Sequence, residues 1–189
     1  HLPADRGVRI LVLSCGPGYL VSLLRDAGYG AVEGIDSDPA KIAHAQRRQL
    51  PCETAEAFPF LEQNREPFDV IIPEQELNHL TLDEQIEFLG LCRRNLKPGG
   101  LLILQGYTPK QLEYRTGAPP MLSHLYTREM LASAFAALSV IELQDYEADV
   151  HEGQGHRGPS AVVQFVARKG DPLRLQSEVR CAPRWERHR

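Results

Sequence analysis

Long apolar runs are missing from this 189-residue chain: no stretch approaches the roughly 18 uninterrupted apolar residues of a membrane span. The first residues, HLPADRG, lack the apolar segment of a secretory signal. Cysteine pairing is missing too. Cys15, Cys52, Cys92 and Cys181 are scattered with no C-x-x-C pair, which argues against a zinc site or a disulfide framework and leaves reduced thiols as the expectation. An excess of positive charge is also absent. With 21 Lys and Arg against 25 Asp and Glu, a formal charge of −4 and a pI near 6.0, there is no global attraction to nucleic acid or to an anionic membrane. Internal repeats are absent as well. These absences predict a cytoplasmic protein with no nucleic-acid and no membrane partner; a monomer or homodimer is expected, with nothing in the composition to choose between them.

What is present suits one globular domain: 42% of residues are apolar, and the length allows a sizeable core. The chain is organised around residues 8–36, VRILVLSCGPGYLVSLLRDAGYGAVEGID. Residues 8–14, apolar apart from Arg9 and Ser14, read as a strand buried on both faces. The glycine turn Cys15-Gly16-Pro17-Gly18 follows. From Tyr19 the period changes, and Leu20, Leu23, Leu24 and Ala27 fall on one face of a helix that Gly28 and Gly30 stop. Residues 31–35 give a second strand that ends on Asp36. Strand, glycine turn, helix, strand and terminal carboxylate make a nucleotide-binding βαβ unit.

Asp38 and Pro39 then read as N-cap and first position of a helix that turns Ile42, Ala43 and Ala45 inward. A weak strand at residues 51–55 and a short helix to Asn64 follow, and FDVII at 68–72 is a clearer strand. Thr81-Leu82-Asp83-Glu84 is a capping box opening a helix with Leu82, Ile86, Leu89, Cys92 and Leu96 on one face. Lys97-Pro98-Gly99-Gly100 ends it, and a buried strand starts at Leu101. Residues 107–126 read as a short helix and an irregular loop, and Thr127 caps a helix carrying Met130, Leu131, Ala134 and Phe135. Two strands at 140–150 and 161–168, joined by HEGQGHRGPS, form an antiparallel hairpin. The predicted fold is α/β: a Rossmann-like, doubly wound, mostly parallel seven-stranded sheet with an antiparallel C-terminal hairpin. The domain is expected over 1–169. A chain that begins with His1 rather than Met is expected to lack a natural N-terminal segment, and 170–189, with five arginines and three acids, reads as a flexible tail.

The glycine turn also lacks something. In the dinucleotide fingerprint G-x-G-x-x-G the third glycine falls at Val21, which weakens the pyrophosphate reading and with it a nicotinamide-dependent oxidoreductase. A two-glycine turn suits an adenosyl cofactor without phosphates, since backbone need only approach its methionine part.

VLSCGPGYL, GIDSDPAKIAHA, FDVII and NLKPGGLLIL resemble, in order and spacing, four motifs of the class I S-adenosylmethionine-dependent methyltransferases. GYTPKQLEYRTGAPP and VHEGQGHRGPSAVVQFVARK are similar to the small bacterial tellurite-resistance-like group, and the likeness spans roughly residues 8–168. The resemblance implies transfer of a methyl group from S-adenosyl-L-methionine to a small-molecule nucleophile, thiol or chalcogen in that group, with S-adenosylhomocysteine released. It implies that Gly16 and Gly18 pass the methionine part, that Asp36 accepts both ribose hydroxyls, that Glu56 meets the adenine amino group, and that Ala57 offers the ring a backbone N–H. Ser14, Cys15, Ser37 and Pro73 complete the cofactor wall.

On the acceptor side, His79 matches a histidine frequent in the family and is a candidate proton acceptor, with an orienting loop residue as the plainer reading. Tyr107 is placed to line the pocket, and Arg115, His156 and Arg157 to select or close over an acceptor, a guanidinium being suited to an anion. Solvated surface charge is the plainer reading of the arginines. His151, Glu152 and His156 tempt a metal assignment, but the glycines between them argue against fixed ligand geometry, and no metal is expected. The segment 73–80 lacks the asparagine-proline-proline-aromatic pattern of amino-group methylases acting on DNA or glutamine. Many family members carry an acid at the position of Val12 and a glycine at that of Ser14. The alternative reading is therefore a catalytically inactive methyltransferase-fold protein that binds the cofactor or a partner.

Overall fold

The computed structural model describes residues 1–74, 80–114, 116, 121–151 and 157–170, with Leu82, Val150, His151 and Arg157 described by backbone alone. Its strands are β1 (Arg9–Leu13), β2 (Ala31–Asp36), β3 (Cys52–Thr54), β4 (Phe68–Pro73), β5 (Leu96–Tyr107), β6 (Leu138–His151) and β7 (Arg157–Lys169). The helices are α1 (Tyr19–Asp26), α2 (Pro39–Arg47), α3 (Ala57–Gln63), α4 (Leu82–Asn95), α5 (Gln111–Tyr114) and α6 (Arg128–Ala134). The seven strands form one sheet in the order β3-β2-β1-β4-β5-β7-β6. Pairings from β3 to β5 are parallel, and β7 runs antiparallel to both β5 and β6. The predicted architecture is therefore the observed one. The order reverses between β1 and β4, and in open α/β sheets the crevice at that switch point is where ligands bind.

Residues 10–13 of β1 are apolar throughout because both faces of the sheet are covered. Ile10 and Val12 pack with Val21, Leu24, Ile42 and Ala45 of α1 and α2. Leu11 and Leu13 join the other core, with Leu61, Phe88, Leu91, Leu131 and Phe135 of α3, α4 and α6 or its edge. Asp38 caps α2, accepting from Ala40 N at 2.8 Å, and Pro39 takes the first position. The capping box of α4 is formed, Glu84 returning its carboxylate to Thr81 N at 2.7 Å.

Three helices sit rotated from the faces expected. On α1, Val21 and Leu24 are buried, while Leu23 is 65% exposed and Ala27 faces solvent. Gly34 on β2 explains this: a Cβ there would stand 2.8 Å from Val21 Cγ2, so the missing side chain admits Val21 to the sheet. On α2, Ile42 and Ala45 are buried and Ala43 is not. On α4, Ile86 is 53% exposed, and the inward face carries Gln85, Phe88, Leu89, Cys92 and Asn95. Two polar residues displace an isoleucine because each finds backbone partners: Gln85 Nε2 donates to Leu80 O, and Asn95 Nδ2 to Leu61 O and Leu91 O.

Strand limits differ as well. Lys97-Pro98-Gly99-Gly100 lies within β5 as an irregularity, with Leu96 paired to Phe68 and Leu101 to Val70. At Gly100 a Cβ would meet Lys97 O at 2.9 Å, so only glycine lets the backbones close. The β6–β7 ladder continues to the pair His151 and Arg157, which shortens the expected ten-residue connection to residues 152–156. The tail expected over 170–189 lies outside the described residues from 171 on. Among the described residues, no helix is long and apolar enough to cross a membrane.

Candidate active site

The turn after β1 is built around positive backbone angles. Ser14, Gly16 and Gly18 have φ of 55°, 54° and 80°. The two glycines are needed for different reasons. A Cβ at Gly16 would have nothing within 4 Å, so this residue borders open space; one at Gly18 would stand 2.8 Å from Leu50 Cδ1 and 3.2 Å from Ala45 Cβ, so this residue lets α1 close on α2. Cys15 N donates to Ile35 O at 2.9 Å, which ties the turn to the end of β2.

Asp36 ends β2 and is 5% exposed. Its Oδ2 accepts from Gly16 N and its Oδ1 from Asp38 N, each at 2.9 Å, and Lys41 Nζ lies 3.8 Å from Oδ1. The carboxylate is thus held in one orientation at the mouth of the turn. Each oxygen retains a further lone pair for a ligand hydroxyl. Ala55 N donates to Asp36 O at 3.1 Å, which brings the end of β3 and the start of α3 beside it. Glu56, the N-cap of α3, makes no side-chain cap bond and is exposed; Ser37 is exposed and Ala57 buried. Pro73 is buried opposite Leu13, and Glu74 N donates to Leu13 O at 3.0 Å. The structure therefore gathers Ser14, Cys15, Gly16, Asp36, Ser37, Glu56, Ala57 and Pro73 at the carboxyl ends of β1 to β4.

Cys15 and Cys52 are both buried, and Cys52 Sγ lies 3.3 Å from where a Gly18 Cβ would stand. The hydrogen bond with Cys52, burial, and the charges of Asp36 and Glu74 push the Cys15 thiol up. It stays neutral and packs. Val12 is fully buried between β2 and β4 in the apolar cluster of α1 and α2, closed off from the open side of the turn.

The carboxyl end of β5, where the acceptor is expected, is assembled from distant segments. Tyr107 ends β5 half-buried, and its carbonyl accepts from Tyr126 N at 2.8 Å. The Tyr126 ring lies against Gly106, where a Cβ would stand 2.4 Å from ring carbons Cδ2 and Cε2. Tyr126 is 1% exposed and its hydroxyl has no hydrogen-bond partner among the described residues; burial pushes this phenol up. Gln111, buried at the head of α5, accepts from Ala161 N at 2.7 Å and donates to Thr116 Oγ1, which donates to Pro159 O at 2.6 Å. Glu147 on β6 receives both Lys110 Nζ and Tyr114 Oη. No local pattern in the sequence singles out Tyr126 or Gln111; the Gly-Tyr pair at 106–107, a glycine at a buried strand end, is the available signal. Of the expected acceptor residues, His79, Arg115 and His156 lie outside the described residues, and Arg157 is described only as the backbone start of β7.

This arrangement of switch-point turn and strand-end carboxylate is that of a nucleotide-binding α/β protein, and comparison with known proteins narrows it. Residues 10–100 match the methyltransferase domain family. The chain is 27% identical over 184 residues to a probable S-adenosylmethionine-dependent methyltransferase of Mycolicibacterium smegmatis, covering 95% of this chain and 68% of that protein. It is 28% identical to trans-aconitate 2-methyltransferase of Methylobacterium nodulans over 98% of this chain and 79% of that enzyme. The crystal structure of TehB from Haemophilus influenzae superposes with a TM-score of 0.67 at 18% identity, covering 86% of this chain and 58% of TehB. The chain belongs to the S-adenosylmethionine-dependent methyltransferases, and S-adenosylmethionine is its cofactor.

Proposed function

We propose that this methyltransferase acts on a small, soft anion, a thiolate or chalcogenide, received at the carboxyl ends of β4 and β5. The observation that carries the site is Asp36: buried, braced by two backbone amides, and set beside the open side of Gly16. The donor set fits an adenosyl cofactor. In this reading the two oxygens of Asp36 accept the ribose hydroxyls, Gly16 lets backbone approach the methionine arm, and Gly18 serves the packing that shapes the turn. Exposed Glu56 and the backbone of Ala57 flank the adenine side, with Ser37 at its edge.

Bound, the cofactor supplies an electrophilic methyl group on a sulfonium sulfur. The protein's part is alignment and exclusion of water, which Tyr107, Tyr126 and the segment pinned by Gln111 provide. A nucleophile that is already ionised needs no strong base, so His79 serves in this reading to accept a proton only from an acceptor that arrives protonated. The resemblance of residues 106–120 and 150–169 to the tellurite-resistance-like group supports the chalcogen class. The trans-aconitate relative supports a second reading, a carboxylate acceptor, which is also anionic on arrival.

Isothermal calorimetry with S-adenosylmethionine and S-adenosylhomocysteine tests the site: binding is expected for the native chain and not for Asp36→Ala. Release of S-adenosylhomocysteine across a panel of thiols, selenide, telluride and small carboxylates then tests the acceptor. Turnover confined to carboxylates overturns the first reading, and no cofactor binding at all overturns the site.

A further inference from the structure

Val12 and Glu74 pose one problem together. The methionine arm of the cofactor ends in an α-ammonium group, a cation that gains from a carboxylate partner in a partly desolvated site. Position 12, where many members of the family carry an acid, is occupied here by an apolar side chain sealed between two strands and two helices. The cation must therefore be met from elsewhere.

The register of the sheet shows where. Leu13 at the end of β1 pairs with Ile35 on one side and Pro73 on the other. The next residues along β2 and β4 are Asp36 and Glu74, so two acids stand level with each other on either side of Ser14. With neighbouring strands about 4.8 Å apart, their Cα atoms are separated by roughly 10 Å across the turn. Glu74 is fixed there because its N–H donates to Leu13 O at 3.0 Å. Its side chain is half-buried, with Oε2 closed off from solvent. The charges of Asp36 and Glu74 both bear on the Cys15 thiol, so both carboxylates lie within electrostatic reach of the turn.

We propose that Glu74 binds the α-ammonium of the cofactor's methionine arm, the carboxylate having moved from the middle of β1 to the end of β4. The inference rests on the cofactor reading of Asp36. Asp36 then holds the ribose end of the ligand and Glu74 its amino-acid end, with Gly16 open between them. A carboxylate at the end of β4 leaves β1 free to be apolar, which is how Val12 is tolerated in a working site.

The test is calorimetric and uses three ligands: S-adenosylmethionine, S-adenosylhomocysteine, and 5′-methylthioadenosine, which keeps ribose and adenine but has no ammonium. Glu74→Gln is expected to weaken the first two by the same factor, about 10- to 100-fold for loss of a charge-assisted hydrogen bond, and to leave the third unchanged. Glu74→Asp, with the charge kept on a shorter arm, is expected to fall between, and it carries the test if Glu74→Gln does not fold. Equal weakening of all three ligands means a structural role and overturns the assignment, as does no weakening of any. Loss confined to S-adenosylmethionine points to the sulfonium and overturns it too. Failure of the native chain to bind all three is a different outcome, since it removes the cofactor reading of Asp36 itself.

Discussion

The two halves of the sheet build their carboxyl ends in different ways. From β1 to β4, the groups at the strand ends are set by backbone: Gly16 N and Asp38 N orient Asp36, Ala55 N ties β3 to β2, and Glu74 N ties β4 to β1. From β5 to β7, the corresponding end is held by side chains reaching across long stretches of sequence, Gln111 to Ala161, Thr116 to Pro159, and Lys110 and Tyr114 to Glu147. A frame made of backbone is insensitive to most substitutions. An end made of side-chain clamps is where a new acceptor can be accommodated without disturbing the cofactor, which is the division a methyltransferase scaffold needs if one cofactor is to serve many acceptors.

The comparison is broken most severely at Asp36. In the proposed cofactor site Asp36→Ala would remove acceptors for two ribose hydroxyls, each a hydrogen bond to a charged group worth about 1.5–3 kcal/mol, and is expected to weaken S-adenosylmethionine, S-adenosylhomocysteine and 5′-methylthioadenosine alike by at least about 100-fold. Gly106→Ala strikes the other half. The Cβ would stand 2.4 Å from the Tyr126 ring, and the overpacking is expected to cost about 1–3 kcal/mol in urea denaturation while cofactor affinity measured by calorimetry is unchanged. If cofactor affinity falls as well, the halves are not independent. Tyr126→Phe is smaller and opposite in sign. It removes a buried hydroxyl that has no partner among the described residues, so stability should rise by about 1 kcal/mol. A gain in melting temperature together with a loss of turnover would instead place that hydroxyl against the acceptor.

The same division separates what the sequence made legible from what it did not. Residues 8–36 could be read directly because strand, turn and carboxylate are contiguous and the periods are clear. The capping residues Asp38, Thr81 and Thr127 worked for the same local reason. Helix faces were read less well, since Val21 and Gln85 are admitted to the core by Gly34 and by backbone acceptors on other segments, which no window of sequence contains. Tyr126 and Gln111 escaped notice because their partners lie 20 and 50 positions away. Ser14 was legible as an exception, and the structure supplies its cost: a serine at φ 55° occupies the left-handed region that glycine enters freely. Ser14→Gly is expected to raise stability by roughly 0.5–1 kcal/mol and to leave cofactor affinity within about twofold, checked by paired denaturation and calorimetry.

The smallest expected effect lies on the seam between the halves. Asp69, near the start of β4, accepts from Arg9 N of β1 at 2.8 Å and from Lys97 Nζ of β5 at 2.7 Å, so one carboxylate joins three strands. Burial pulls its pKa upward, but the hydrogen bonds from Lys97 and Arg9 and their charges outweigh it and hold the group below the ordinary carboxylate value. Because the folded value is the lower one, the contribution to stability is full above the unfolded pKa near 4 and is lost as pH falls through the folded value. The pair is partly exposed, with 39% and 27% of the two side chains accessible, so screening limits it to about 0.5 kcal/mol. Urea midpoints measured between about pH 5 and pH 2.5 should fall less steeply for Asp69→Asn than for the native chain, and high salt should shrink the difference. Coincident pH profiles would mean that the seam is held by apolar packing of Phe68, Val70 and Leu101 rather than by charge, and that the two halves meet through the core alone.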